Sequence, residues 1–303
     1  LHERRKSYSS LVNMHQALLS HLRPFYNLAR PWEYYGFSIL ITSLGLLLAR
    51  ATDSSAILRI LGANFLACMF IFVINDIEDR DYDALDPAKK LRNPLAGGVM
   101  SLNHANIFCW TLFALALILY ISINMHTALY GLALLLLGFL YSWRKVQLKG
   151  KPFLDLLSHG LYFGPLLLLA GFSITNSIFT THVLLMCMAV FILSVIGDIN
   201  NEMRDNEVDR LSGIVNTATV FDFARYKKVF SLITLVSVGY IFFYVITTLP
   251  ILFTLLVVAY SIVHSLYILY LVKHKRIQIY EYNKRNVLYI GYAVLIIAYL
   301  LTL

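Results

Sequence analysis

The chain has 303 residues, 59% of them hydrophobic, and a formal charge of +8. Its mean hydropathy of +0.68 excludes an ordinary soluble domain and puts it among multi-pass membrane proteins. The positive charge is gathered between apolar runs, so it reads as a topology signal for a lipid bilayer, with no nucleic acid as partner.

Residues 1–33 carry Arg4, Arg5 and Lys6 ahead of a mixed segment that lacks the short apolar core of a signal peptide. An amphipathic segment lying in the membrane interface is predicted there. Apolar runs of about 18 residues or more then predict nine spans, near 34–50, 55–75, 104–124, 126–143, 153–172, 177–197, 228–248, 250–272 and 286–303. The expected fold is all-α: one domain over 1–303, a bundle of two four-helix units plus one helix. Of the 25 Lys and Arg, 23 fall in five segments that this count puts on one side; only Arg50 and Arg59 fall at the other. Basic residues favour the cytoplasm. A cell-membrane protein is therefore expected, with its N-terminus and acid-rich stretches cytoplasmic. Cys68, Cys109 and Cys187 lie inside predicted spans without metal-like spacing and read as core.

Eleven of the 17 carboxylates stand in two stretches, 76–86 and 198–209, at the ends of the second and sixth spans. Like charges one helical turn apart repel, so their concentration beside a membrane calls for a cation. Asn75, Asp79 and Asp83 are spaced i, i+4, i+8. Asp198, Glu202, Asp205 and Asp209 are spaced i, i+4, i+7, i+11. Each set lies along one helical face. Oxygen ligands with no His or Cys suit Mg²⁺ rather than zinc or iron. Asp81, Asp86 and Glu207 read as solvated positions. The polar loops 84–103 and 210–227 follow the two stretches and read as lids. A cation channel or exchanger is the non-enzyme alternative. It would carry its acids within the membrane along a pathway, and these stand at helix ends.

Asn75-Asp76-x-x-Asp79-x-x-x-Asp83 resembles the first aspartate-rich motif of the UbiA superfamily of intramembrane prenyltransferases. Asp205-x-x-x-Asp209, followed by Gly213 and Thr217, resembles the second. The resemblance implies an isoprenyl-synthase-like helical fold and two Mg²⁺ ions that join the motifs to the diphosphate of a polyprenyl donor. The C1–O bond would ionise to an allylic cation that an acceptor in the membrane captures. Asp79, Asp83, Asp205, Asp209 and Tyr141 would carry catalysis. Lys89, Lys90, Arg92, Lys145 and Lys149 would bind the diphosphate, and Asp155 and Asn201 would face the acceptor. The stretch Asn201–Asp209 and the segment from Tyr141 to Pro165 resemble the menaquinone branch, which implies an aromatic quinone precursor of the dihydroxynaphthoate or hydroxybenzoate type. Asp198 and Glu202 resemble the archaeal ether-lipid branch, which leaves a geranylgeranylglyceryl phosphate acceptor as the alternative.

Overall fold

A computed structural model of the protein describes residues 20–211, 215–274 and 285–303. Among them there is no strand, and the all-α expectation holds. The helices are α1 (residues 20–29), α2 (Tyr35–Ala49), α3 (Ser54–Asp83), α4 (Pro87–Arg92), α5 (Leu102–Ile121), α6 (Met125–Ser142), α7 (Leu154–Tyr162), α8 (Pro165–Phe172), α9 (Thr181–Leu211), α10 (Thr217–Val220), α11 (Lys227–Thr248), α12 (Ile251–Lys273) and α13 (Arg285–Leu300). Seven segments among the described residues are long and apolar enough to cross a bilayer, or eight if the pair Ser20–Glu33 and Tyr35–Ala49, bent by 54°, counts as one span. The predicted nine is not reached among the described residues, where the last apolar helix, Asn286–Leu300, is shorter.

Short polar residues start several of the helices, as side-chain caps for the first free N–H groups. The Asp53 carboxylate accepts from Ser55 N at 2.9 Å and Ala56 N at 3.2 Å, opening α3. Asn124 accepts from Thr127 N at 2.9 Å and opens α6. Asp86 caps α4 with Pro87 at the first helical position. The backbone N–H of Lys89, then that of Ala88, holds its carboxyl below the usual range. Asp86, read from sequence as a solvated position, thus shapes the loop.

The fifth predicted span is broken between α7 and α8, where Pro165 follows Gly164 and has no N–H to continue the ladder. Separating the halves lets α7 pack on α9 while α8 packs on α2. The α2–α8 contact is backbone-close. A Cβ on Gly45 would lie 2.2 Å from the carbonyl oxygen of Leu168, and one on Gly171 would lie 2.7 Å from that of Thr42. Small residues at such crossings are how membrane helices gain contact where the hydrophobic effect offers little.

A buried polar knot ties four helices inside this packing. Asn64 donates to Thr42 Oγ1 at 2.7 Å and to Leu167 O at 3.0 Å, and its own oxygen accepts from the Tyr120 hydroxyl at 2.7 Å. All three side chains are buried. Replacing Asn64 by leucine should cost about 1–3 kcal/mol, because the Tyr120 hydroxyl loses its acceptor in an apolar interior. Thermal unfolding in detergent checks this, and an unchanged midpoint would remove the knot from the list of stabilising contacts.

The acid-rich stretches do not terminate their helices. α3 runs 30 residues and α9 runs 31, about 45 Å at 1.5 Å per residue, against a hydrocarbon core of about 30 Å. Each helix is therefore longer than the apolar layer is thick, and it carries its acids on the extension at its far end.

Candidate active site

The two extensions meet the loops at one end of the bundle, and basic side chains from those loops reach the acids. Lys149 Nζ lies 2.5 Å from Asp79 Oδ1 and 2.9 Å from Asn75 Oδ1. Ser142 Oγ also donates to that Asn75 oxygen, at 3.3 Å. Arg92 Nη2 stands 3.7 Å from both Asp76 Oδ1 and Asp83 Oδ2. Asn93 Nδ2 donates to Asp83 Oδ2 and to the Asp76 carbonyl, each at 2.9 Å. Lys89 Nζ comes within 3.9 Å of Asp205 Oδ2, joining the loop after the first motif to the second. The loop 84–103 thus folds back over the acids by way of α4.

The second motif is buried in part as well, at Asp198 and Glu202. Asp198 is 4% exposed, and its Oδ1 lies 3.7 Å from His159 Nε2. Its Oδ2 has no partner. Asp155, fully buried, accepts from Leu156 N at 2.7 Å, Thr217 N at 2.6 Å and the Thr217 hydroxyl. Glu202 accepts from Ala218 N at 3.0 Å. The Thr217 oxygen in turn accepts from Phe153 N at 2.7 Å, at a residue held at φ 68°, a conformation costly for a phenylalanine. Asp155 and Glu202 therefore fasten the chain that follows the second motif. Both Asp155 oxygens, in the residue expected to face the acceptor, are engaged there.

Several expected residues fall elsewhere. Lys145 lies over the Trp143 ring, 5.6 Å from its centroid. Lys90 and Asn201 are exposed. Asp81 is bound by Arg144 at 2.7 Å, and Arg204 pairs with Asp205 at 3.2 Å. The side chains of Asp209 and Glu207 lie outside the described residues, as do residues 1–19 of the N-terminal segment and residues 212–214 of the second loop.

Three contributors escaped the sequence reading. Arg30, in the left-handed conformation at the α1–α2 bend, donates to Asp76 Oδ1 at 2.8 Å and sits 4.8 Å from the Phe72 ring centroid. His159, Tyr162 and Phe163 stack with Tyr141 into a ring cluster beside Asp198: Tyr141 to Tyr162 is 5.4 Å, His159 to Phe163 is 5.0 Å, and Tyr162 to Phe163 is 4.5 Å between centroids. Asn93 is the third. Only Arg30 had a usable signal, a charge entering an apolar run.

The donor set suits a hard divalent cation. Asn75, Asp79, Asp83, Asp198, Glu202 and Asp205 offer oxygen only, and two buried carboxylate oxygens, on Asp76 and Asp198, are unpartnered. Among the described residues no three His, Cys, Asp or Glu side chains already converge into a closed cage. Mg²⁺ does not require one, since it keeps waters and takes one or two carboxylates together with substrate phosphate.

These features define an intramembrane helical bundle with a paired-carboxylate site at one end. The model of the UbiA prenyltransferase family matches residues 38–301, and the chain belongs to that family of prenyltransferase enzymes. It is 25% identical over 194 residues to the digeranylgeranylglyceryl phosphate synthase of Methanobrevibacter smithii, covering 63% of this chain and 67% of that one. It is 30% identical to the 4-hydroxybenzoate octaprenyltransferase of Blochmanniella pennsylvanica, over 49% of each protein. A second digeranylgeranylglyceryl phosphate synthase, from Methanocaldococcus jannaschii, is 30% identical over 50% of each. The match thus spans two thirds of the first relative and about half of the other two. The solved structure of a UbiA homologue from Archaeoglobus fulgidus bound to GPP and Mg²⁺ superposes with a TM-score of 0.68 at 23% identity, covering 92% of this chain and all of that one.

Proposed function

We propose that the chain transfers a prenyl group from a prenyl diphosphate to an acceptor within the membrane, in a Mg²⁺-dependent reaction at the cytoplasmic end of the bundle. The observation that carries this reading is the convergence of carboxylate helices, phosphate-type cations and a ring cluster at one place. Asn75, Asp79, Asp83, Asp198, Glu202 and Asp205 would hold the metal, with Asp209 completing the second motif. Mg²⁺ bound there would supply neutralisation of the charge that develops on the departing diphosphate.

The chain's own residues do the rest. Lys149, Lys89 and Arg92, which stand against the acids, would bind the phosphate oxygens, lysine as a point charge and arginine as a fork. The faces of Tyr141, Tyr162 and Phe163 offer negative quadrupole to positive charge growing at C1. The same apolar rings exclude water from a carbon that would otherwise be hydrolysed. The Asp155–Thr217 clamp fixes the second motif's loop against α7, which carries His159 and Tyr162. Replacing Thr217 by valine should lower the turnover number about tenfold, a loss of about 1.4 kcal/mol, with serine restoring it. Turnover unaltered in the valine variant would free the clamp of any catalytic duty.

For the acceptor we infer an aromatic quinone precursor, a planar ring suited to stacking on the cluster around Tyr141. The ether-lipid reading is favoured by the two archaeal relatives that are digeranylgeranylglyceryl phosphate synthases. Purified protein with Mg²⁺ and geranylgeranyl diphosphate, offered dihydroxynaphthoate, hydroxybenzoate and geranylgeranylglyceryl phosphate in parallel, decides between them. Prenylation of an aromatic ring is expected. Product from the glycerol phosphate alone would replace the quinone reading with the lipid one, and diphosphate release in no condition would remove the enzymatic reading.

A further inference from the structure

We propose that Lys149 is a built-in plug in the first metal position, so that metal and diphosphate enter this half of the site only together. The inference rests on the function proposed above and adds an order of assembly to it. Its basis is where the cations sit. The Lys149 ammonium bridges Asn75 Oδ1 and Asp79 Oδ1, the two oxygens that a divalent cation on this helix face would take. Arg92 stands between Asp76 and Asp83, and Lys89 stands against Asp205. Every described basic side chain suited to the diphosphate and close to the acids thus already has a carboxylate partner.

Charge decides the consequence. Around the first motif, Asp76, Asp79 and Asp83 are matched by Arg30, Arg92 and Lys149. A divalent ion arriving alone must displace an ammonium held at 2.5 Å and leave that ammonium without its anion beside a new +2 charge. A diphosphate arriving alone must draw Lys149 and Arg92 away, leaving the half-buried Asp79 and the buried Asp83 uncompensated. Arriving together, the metal takes the carboxylates and the diphosphate takes the cations, so every charge keeps a partner. Each ligand is thereby the condition for the other, and linkage requires the coupling to be equal in both directions. In the second motif Asp205 pairs with Lys89 and Arg204, but Asp198 has a buried oxygen without a partner and no Lys or Arg within ion-pair distance among the described residues, so one ammonium bridging two ligand oxygens is a feature of the first motif.

Equilibrium dialysis of the full chain in detergent against Mn²⁺, with and without geranyl thiodiphosphate and corrected with a protein-free blank, tests this without turnover. In the wild type the analogue should tighten Mn²⁺ binding about tenfold or more, and Mn²⁺ should tighten the analogue by the same factor. Lys149→Met should bind Mn²⁺ more tightly than wild type when the analogue is absent, and the coupling should shrink. Lys149→Arg keeps a cation in place, so it should retain the coupling and serve as the folded control. Equal Mn²⁺ affinity in wild type with and without analogue, or Lys149→Met indistinguishable from wild type, would overturn the plug while leaving the proposed function intact. Analogue binding with no Mn²⁺ retained in either condition would overturn both.

Discussion

Replacing Asp79 by alanine should lower prenyl transfer at least 100-fold, about 2.7 kcal/mol of transition-state stabilisation, while the protein stays folded. Asp79 lies on the face of α3 that carries Asn75 and Asp83, a turn to either side. Its only hydrogen-bond partner among the described side chains is the Lys149 ammonium, at 2.5 Å, and both groups are half-buried. Water can therefore reach the lysine once the carboxylate is gone, and the Asn75 oxygen still accepts from it. Stability is spared because no core contact is lost. Activity is not, because the first motif loses its central oxygen ligand. The control on the same helix is Asp81→Ala, which removes an exposed pair with Arg144 and should leave turnover unchanged, exposed ion pairs adding little. Diphosphate release measured for both variants, beside their unfolding midpoints, gives the comparison. An Asp79→Ala protein with more than about a tenth of wild-type turnover would take the first motif out of the chemistry.

What the sequence made legible, and what it did not, follows from the range of each interaction. The faces Asn75/Asp79/Asp83 and Asp198/Glu202/Asp205 could be read because helical period is a local property. Their meeting at one end could be read from charge, because lysines and arginines sort by side of the membrane whatever their partners. Helix ends were harder. The spacing made the acid-rich stretches helical, and α3 indeed runs to Asp83 and α9 to Leu211, but where each helix stops depends on caps that the apolar runs do not show. The break at Gly164-Pro165 carried a local signal, but the apolar run around it matched a single span in length. The contacts Asp155 to Thr217 and Arg92 to Asp76 were out of reach. They join segments 62 and 16 residues apart, and spacing says nothing about which acid a distant donor meets. Glu202 illustrates the result: its place on the metal-facing pattern was readable, and its hold on the Ala218 N–H was not.

Arg30→Met should destabilise the protein by about 3–5 kcal/mol, the cost of leaving one member of a buried ion pair behind. Arg30 is 5% exposed and Asp76 fully buried, and they are joined at 2.8 Å between α1–α2 and the extension of α3. Asp76 has no adequate substitute partner. Arg92 is 3.7 Å from the same oxygen, and Oδ2 is already unpartnered. The guanidinium also packs on the Phe72 ring, which a methionine can partly replace by its own contact with an aromatic edge. Most of the loss is therefore electrostatic, and it should vanish when the stranded charge is removed as well. Arg30→Met with Asp76→Asn is expected to recover most of the single variant's loss, and Asp76→Asn alone to fall between, since it strands a cation that Glu33, at 3.3 Å, still balances. Unfolding of the three variants in one detergent closes the double-mutant cycle. A double variant as unstable as Arg30→Met would mean that the bend at Arg30 is held by packing and its left-handed backbone, not by the pair. If the cycle closes as expected, the buried pair anchors the first motif to the bend that leads into α2, and the Asp76 turn of α3 is held in place before any ligand arrives.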